Sequence, residues 1–145
     1  MTDVRGIDPE LAAAVAGGER PDLAKDLDRA RVLMSSVGLP TARAEELYGS
    51  RVDVTERLLD LGDRSIDVRV HTPIGIEATA PGLLMLHGGA LVGGDRGAEH
   101  ARSLRYAAEA GCIVVTPEYR LAPEHPYPAA LDDALAVLEW MRTDL

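Results

Sequence analysis

In the first fifty residues the apolar positions recur every three or four residues, which is the period of an α-helix. The pattern predicts three helices, from Pro9 to the glycine pair at 17–18, from about Pro21 to Val37, and from Ala42 to Tyr48. On the second helix one face carries Leu23, Leu27, Ala30 and Met34. Such a face favours a helical arm that packs on a domain; the alternative is a lid over a pocket.

After residue 50 the hydrophobic period becomes that of strands. Val52 with Val54, and then Ile66 with Val68 and Val70, alternate with polar residues, which predicts an antiparallel hairpin with one solvated face. Residues 61–64 supply its turn. Segments 83–86 and 112–115 are apolar at every position, as is typical of parallel strands covered on both faces.

A helical pattern from Ala98 to Ala110 lies between those two apolar segments and ends at Gly111. Strand, helix and strand form a βαβ unit with a right-handed crossover. A last helix begins at Pro128, and the residues expected on its buried side are Leu131, Ala134, Leu135, Leu138 and Met141. The fold class is therefore α/β, with a mixed sheet made of an antiparallel hairpin and a parallel βαβ unit.

Composition narrows the function classes. A chain of 145 residues predicts one domain, and its net charge of −9 argues against nucleic acid or an anionic membrane as partner. The single cysteine, Cys112, permits no internal disulfide and is expected to pack inertly in its strand. An acidic start with only a short apolar run predicts no secretory signal, and no run is long enough to span a bilayer. We expect a cytoplasmic protein without cofactor or metal.

Candidate chemistry lies in the glycine loop, residues 87–95, which follows the first apolar strand. Ligands of open α/β sheets bind outside the carboxyl ends of the strands, where this loop begins. Adjacent glycines such as Gly88 and Gly89 let consecutive N–H groups point into one concavity, which suits the oxyanion of acyl transfer. A phosphate site is disfavoured because no G-x-G-x-x-G or P-loop pattern is present, whereas a tight turn without ligand stays open.

Two segments together resemble the bacterial hormone-sensitive-lipase-like esterases of the α/β-hydrolase fold. Residues 83–95 are similar to that family's apolar strand followed by His-Gly-Gly-Gly. The signature segment, residues 119–133, runs Tyr-Arg-Leu-Ala-Pro-Glu-His-Pro-Tyr-Pro-Ala-Ala-Leu-Asp-Asp and resembles the family's sequence after its fourth strand. The resemblance implies an N-terminal cap segment over residues 1–49 and the N-terminal half of a hydrolase domain over 50–145.

The resemblance also implies roles for individual residues. The backbone N–H groups of Gly88 and Gly89 would be oxyanion donors, and His87 would anchor the loop. A buried structural network would contain Arg120, Glu124 and Asp132. No catalytic role is implied for His125, and His71 and His100 are expected at the surface. Ala90 replaces the third glycine, which is tolerated where φ is negative, and Leu91 replaces an aromatic residue.

The family's nucleophile lies in a G-x-S-x-G turn that follows the next strand, and none of the serines of this sequence has that context. The acid and the general base, which follow later in the family, are also missing. We therefore expect a carboxylic-ester hydrolase by family, acting on small-molecule esters through an acyl-enzyme, whose 145 residues are inactive alone. The alternatives are a truncated module that binds acyl ligands or a partner, and a half-enzyme completed by a second chain.

The family's sheet order, 1-2-4-3-5, has one further implication. Without the fifth strand, the strand Leu83 to Leu86 would lie unpaired at the edge of the sheet. Because it is apolar on both faces, self-association through this edge is expected.

Overall fold

A computed structural model of the protein describes residues 8–9, 11–12, 23, 25–35, 40–77 and 79–145. The helices are α1 (Leu27–Ser35), α2 (Thr41–Tyr48), α3 (His100–Ala110) and α4 (Ala129–Asp144). The strands are β1 (Val52–Asp60), β2 (Ser65–Pro73), β3 (Gly82–Leu84) and β4 (Ile113–Pro117). Short 3-10 turns at Gly49–Arg51 and Arg96–Glu99 precede β1 and α3. Most of the helix predicted from Pro9 lies outside the described residues.

The four strands form one mixed sheet in the order β1-β2-β4-β3, as the family resemblance implies. β1 and β2 are an antiparallel hairpin in which Val52 faces Pro73 and Asp60 faces Ser65. β2 pairs antiparallel with β4, and β3 pairs parallel with β4. The hairpin turn closes through the Leu61 N–H, which donates to the Arg64 carbonyl over 2.8 Å. β3 therefore lies at the edge of this sheet, with one strand neighbour among the described residues.

Two apolar clusters cover the two faces of the sheet. One packs α2 and α3 on the sheet and includes Leu104, Ala107 and Val114, all fully buried. The other packs α4 on the opposite face through Val137, against β2 and β4 residues such as Val68 and Val115. Trp140 borders this second cluster, and the guanidinium carbon of Arg57 lies 5.9 Å from its ring centroid. The hydrophobic burial of both sheet faces explains why residues 113–115 of β4 are all apolar.

Several predicted element boundaries are corrected by the structure. α1 begins at Leu27 rather than near residue 21, because the Asp26 carboxylate accepts the Arg29 N–H over 3.0 Å and caps the helix there. Leu23 lies before the helix and is exposed. β3 ends at Leu84, and the chain leaves the sheet after Met85, so Leu86 is exposed. The stop at Gly111 is confirmed: its φ of 64° is left-handed.

The buried face of α4 differs from the prediction. Ala134 is buried and Met141 packs against the second cluster, as predicted. The leucines expected there are about half exposed instead, namely Leu131, Leu135 and Leu138. The helix is turned so that Asp133 and Val137 face inward, because the Asp133 carboxylate accepts several hydrogen bonds beneath it. The leucines consequently form an apolar stripe on the outer side of α4.

The prediction of two surface histidines is wrong. His71 on β2 is fully buried, and its Nε2 lies 3.0 Å from Nδ1 of His100 at the start of α3. Nε2 of His100 lies 2.7 Å from a carboxylate oxygen of Glu45 on α2. Since that carboxylate is an acceptor, both imidazoles in their neutral form carry the proton on Nε2. This chain of hydrogen bonds joins α2 and α3 to the sheet.

We expect the buried imidazole to make the fold acid-sensitive. Burial, with smaller contributions from His100 and Arg69, lowers the pKa of His71 from 6.5 to about 4. The unfolded chain thus binds a proton near pH 6.5 that the folded chain binds only near pH 4. The free energy of unfolding should therefore fall by about 3 kcal/mol as the pH is lowered from 6.5 to about 4. Urea denaturation at several pH values measures this fall. The His71→Gln variant, whose side chain does not titrate, should not show it. If the free energy of unfolding depended on pH equally in both proteins, the prediction would be contradicted.

Candidate active site

The glycine loop folds back on itself directly after β3. The N–H groups of Val92 and Gly93 both donate to the Gly89 carbonyl, over 3.1 and 3.0 Å. Gly89 has a φ of 131°, and a Cβ at this position would lie 1.9 Å from the Gly93 oxygen. Gly94 has a φ of 84°, and its Cβ would lie 2.1 Å from the Gly88 oxygen. Two glycines are thus required by contacts of backbone with backbone.

The N–H groups of Gly88 and Gly89 are unused within the loop. Neither donates a hydrogen bond to any of the described residues. Gly88 is exposed and Gly89 is half-buried, so an oxygen from outside can reach them. Unsatisfied neighbouring N–H groups at a strand end suit a negatively charged oxygen.

The residues after the glycine pair adopt a less common conformation. Ala90 and Leu91 have φ values of 55° and 62°, so the condition under which alanine is readily tolerated at position 90, a negative φ, is not met. A left-handed conformation of a residue with a Cβ costs about 1–2 kcal/mol. Hydrogen bonds on both sides hold the pair there: Gly93 bonds to Gly89, and the Leu91 carbonyl accepts the Ala122 N–H over 2.9 Å. The tight turn is thereby fixed to the signature segment.

His87 is buried and contacts the loop backbone. Its Nδ1 lies 2.9 Å from the Gly88 carbonyl oxygen, so that nitrogen carries the proton. Its ring stacks on Tyr119, with ring centroids 4.1 Å apart, and the Tyr119 hydroxyl donates to the His87 carbonyl over 2.6 Å. Burial raises the pKa of Tyr119 to about 12, so the phenol remains a donor at neutral pH. The sequence predicted His87 at this place but assigned no contact to Tyr119.

The predicted network of Arg120, Glu124 and Asp132 is not formed as such. Arg120 bonds to Asp133, the residue after the predicted Asp132, and not to Asp132. It donates through its backbone N–H, Nε and Nη2 over 2.8–3.1 Å. Arg64 of the hairpin turn donates to the same carboxylate over 2.8 Å. Asp132 is exposed instead, because α4 turns position 133 inward. Burial raises the pKa of Asp133, but the hydrogen bonds from Arg120 and Arg64 outweigh it and hold the pKa below its usual value.

Glu124 belongs to a different contact, which sequence reasoning missed. Its carboxylate forms a bidentate pair with Arg31 of α1, over 2.8 and 2.6 Å. These hydrogen bonds lower the pKa of Glu124 to about 2. No sequence signal connects the two residues, which are 93 positions apart.

An apolar cavity of about 550 Å³ opens beside the glycine loop. It lies between the loop, the signature segment and the start of α4. Its lining comprises Leu86, His87, Ala90, Leu91, Val92, Tyr119, Ala122, His125, Tyr127, Pro128, Ala130, Leu131 and Ala134. The size suits a small organic ligand, and the apolar walls favour hydrocarbon groups.

No nucleophilic serine is at this cavity among the described residues. Ser103 is fully buried in α3 and bonds to Met85 and Thr116. Ser50 lies in the 3-10 turn before β1, and Ser65 is the first residue of β2. In the part of the chain that the structure describes, no group of three or more His, Cys, Asp or Glu residues could hold a metal ion.

Comparison with known proteins identifies the fold class of this chain. Residues 83–145 match the model of a family described as having the alpha/beta hydrolase fold. Among solved structures, a bacterial heroin esterase superimposes with a TM-score of 0.77 at 34% identity, over 92% of this chain and 42% of that one. A Pyrobaculum calidifontis esterase gives a TM-score of 0.75 at 27% identity, over 94% of this chain and 43% of that one. The fold is therefore a part of the α/β-hydrolase fold.

Two curated relatives of similar sequence are named as esterases. Esterase LipI of Mycobacterium tuberculosis is 48% identical over 65 residues, which are 45% of this chain and 20% of the relative. Carboxylesterase NlhH of the same species is 40% identical over 80 residues, 55% of this chain and 25% of the relative. These matches, which cover part of the chain, support its similarity to the hormone-sensitive-lipase-like esterases that the signature segment predicted. The chain spans about a quarter or less of these relatives' length. None of the described helices is long and apolar enough to cross a membrane.

Proposed function

We propose that this chain is the N-terminal part of a carboxylic-ester hydrolase that acts on small-molecule esters. The observation that carries the proposal is the pair of unused N–H groups, on Gly88 and Gly89, beside an apolar cavity. When a nucleophile attacks an ester carbonyl, its oxygen becomes negatively charged in the tetrahedral intermediate. Two donors fixed beforehand stabilise that oxygen, and losing one costs about 10²–10³ in kcat.

The remaining catalytic groups are proposed to come from outside these 145 residues. A nucleophile would attack and form an acyl-enzyme, and a general base would then activate water to release the acid. His87 does not take the role of base in this proposal: its Nδ1 is engaged with the Gly88 carbonyl, and the ring is buried under Tyr119. His87 would act as the anchor of the donors.

The test is hydrolysis of para-nitrophenyl butyrate. The 145-residue chain alone should give no turnover, and co-expression with the C-terminal half of a related esterase should restore it. In the restored enzyme Gly89→Ala should lower kcat by about 10²–10³, whereas Gly62→Ala in the distant hairpin turn should not. Turnover by the chain alone that a serine-directed phosphonate abolishes would contradict the proposed division of the site.

A second candidate function is the binding of acyl ligands without catalysis. It is favoured by the position of the cavity, whose lining is formed within this chain. A fatty carboxylate would place its oxygens on Gly88 and Gly89 and its tail in the cavity. Isothermal titration with octanoate and octanol distinguishes this function, since only the carboxylate needs the two N–H groups. Equal affinities for both ligands would argue against it.

Self-association through the strand Leu83 to Leu86 is a further proposal. β3 pairs with β4 on one side only among the described residues, and Leu86 next to it is 47% exposed. An unpaired apolar strand is a template for another chain. Analytical ultracentrifugation should detect oligomers that Leu86→Lys reduces, and a strictly monomeric chain would refute the proposal.

Two other predictions remain proposals. The division into a cap segment, 1–49, and a hydrolase part, 50–145, is supported by the change from helices to strands at Val52. A cytoplasmic location is supported by Cys112, a buried free thiol that is compatible with a reducing compartment.

A further inference from the structure

Arg31 is the residue through which α1 contacts the candidate active site. Its Nε donates to the Val92 carbonyl over 2.7 Å, and its Nη2 donates to the Ala122 carbonyl over 3.0 Å. The two Nη groups also hold the Glu124 carboxylate. The side chain is 27% exposed, so these hydrogen bonds are partly shielded from water.

The two carbonyls belong to the two loops that border the cavity. Val92 is part of the glycine loop and Ala122 of the signature segment, and both residues line the cavity. The loops have one direct backbone hydrogen bond, from the Ala122 N–H to the Leu91 carbonyl. The Tyr119 hydroxyl on the His87 carbonyl connects the loops at their start. The guanidinium adds a further connection one residue after Leu91. It therefore sets the distance between the loops immediately after the strained residues Ala90 and Leu91.

The body of α1 also lies against the glycine loop. A Cβ at Gly93 would lie 2.8 Å from Sδ of Met34 and 3.3 Å from Cγ of Arg31. The absence of a side chain at Gly93 thus allows the helix to approach the loop backbone. The Gly93 N–H donates to the Gly89 carbonyl. A displacement of α1 against Gly93 is therefore transmitted to the glycine pair through one hydrogen bond.

We propose that Arg31 is a positioning residue for the N–H groups of Gly88 and Gly89, so that α1 forms part of the site rather than only a cover. The inference rests on the proposed ester-hydrolase function for its purpose, although the positioning itself can be measured without turnover. A planar fork with several fixed donors can satisfy two carbonyls and a carboxylate together, whereas a lysine ammonium is a single compact group.

The test compares three variants of the 145-residue chain by amide hydrogen exchange resolved by NMR. Arg31→Met keeps the aliphatic stem and removes the donors. Arg31→Lys keeps the charge. Arg43→Met on α2 is the matched control, since Arg43 is an exposed arginine that pairs with Glu46 on its own helix. The reporter amides are Val92, Gly93 and Ala122, which are all hydrogen-bonded in the two loops.

Arg31→Met should accelerate exchange at the three reporter amides by about tenfold or more and shift the Gly88 and Gly89 amide resonances, with β2 and β4 unchanged. Arg31→Lys should give an intermediate effect and Arg43→Met none. Unchanged loop amides, or acceleration confined to α1, would overturn the proposal. If Arg31→Met does not fold, the same criteria applied to Arg31→Lys decide. Failure of the ester assay alone leaves these exchange rates as they are, so the two proposals fail separately.

Discussion

The variant Asp133→Ala is expected to lower the free energy of unfolding by about 3–5 kcal/mol, because it leaves the partly buried guanidinium of Arg120 without its anion. It also removes one of the two carboxylates bound to Arg64, which keeps its hydrogen bonds to Asp63. Asp133 is fully buried and accepts hydrogen bonds from Arg64 and Arg120. These residues come from the hairpin turn, the signature segment and α4, so one carboxylate joins three distant parts of the chain. Urea denaturation followed by far-UV circular dichroism measures the loss.

Asp132→Ala is the matched control for that experiment. It removes the same side chain one position earlier, where it is exposed in the first turn of α4. The interaction of Asp132 with the helix dipole predicts a loss of less than about 1 kcal/mol. If the two variants were destabilised equally, the hydrogen bonds of Asp133 would not be the cause.

The second large effect is expected from Gly89→Ala, which should destabilise the fold by about 3 kcal/mol or force the glycine loop into another conformation. The added Cβ would lie 1.9 Å from the Gly93 oxygen, a distance that no rotation of a side chain can relieve. The φ of 131° adds strain for any residue other than glycine. Urea denaturation measures the change in stability. The NMR resonances of the Val92 and Gly93 amides show whether the conformation of the loop has changed.

Two further glycine variants separate the effect of the Cβ collision from the effect of backbone strain. Gly62→Ala introduces a residue at a φ of 86° with no atom within 4 Å, so it carries strain without collision and should cost about 1 kcal/mol. Gly88→Ala has neither positive φ nor a neighbour within 4 Å and should be nearly neutral. A Gly89→Ala variant as stable as Gly88→Ala would show that the loop backbone is not packed as described.

The sheet could be predicted from the sequence because its signals are local. Alternation at Ile66 and Val68 and the continuous apolar run around Val114 each specify their own strand. Gly111 marks the end of α3 within one residue. The orientation of α4 was less predictable, since leucines lie on more than one side of it. The choice between Leu131 and Asp133 as the inward residue depends on Arg64 and Arg120, which approach from other elements.

The candidate site divides in the same way. Gly88, Gly89 and His87 were identifiable because the loop is continuous in the sequence and resembles a known motif. The contact of Arg31 with Glu124 was not, because it joins residues 93 positions apart and has no spacing of its own. The choice of Asp133 over Asp132 as partner of Arg120 likewise requires the phase of a helix, which tertiary packing determines.

Trp140, the single tryptophan, lies beside the cluster that packs α4 on the sheet and has Arg57 over its ring. Its indole emission therefore reports the separation of α4 from the sheet. No residue of the glycine loop belongs to this cluster, so a local opening of that loop should leave the emission unchanged. Tyr119, stacked on His87, is the aromatic ring whose surroundings change with the loop. The two chromophores thus distinguish global unfolding from a local rearrangement at the candidate site.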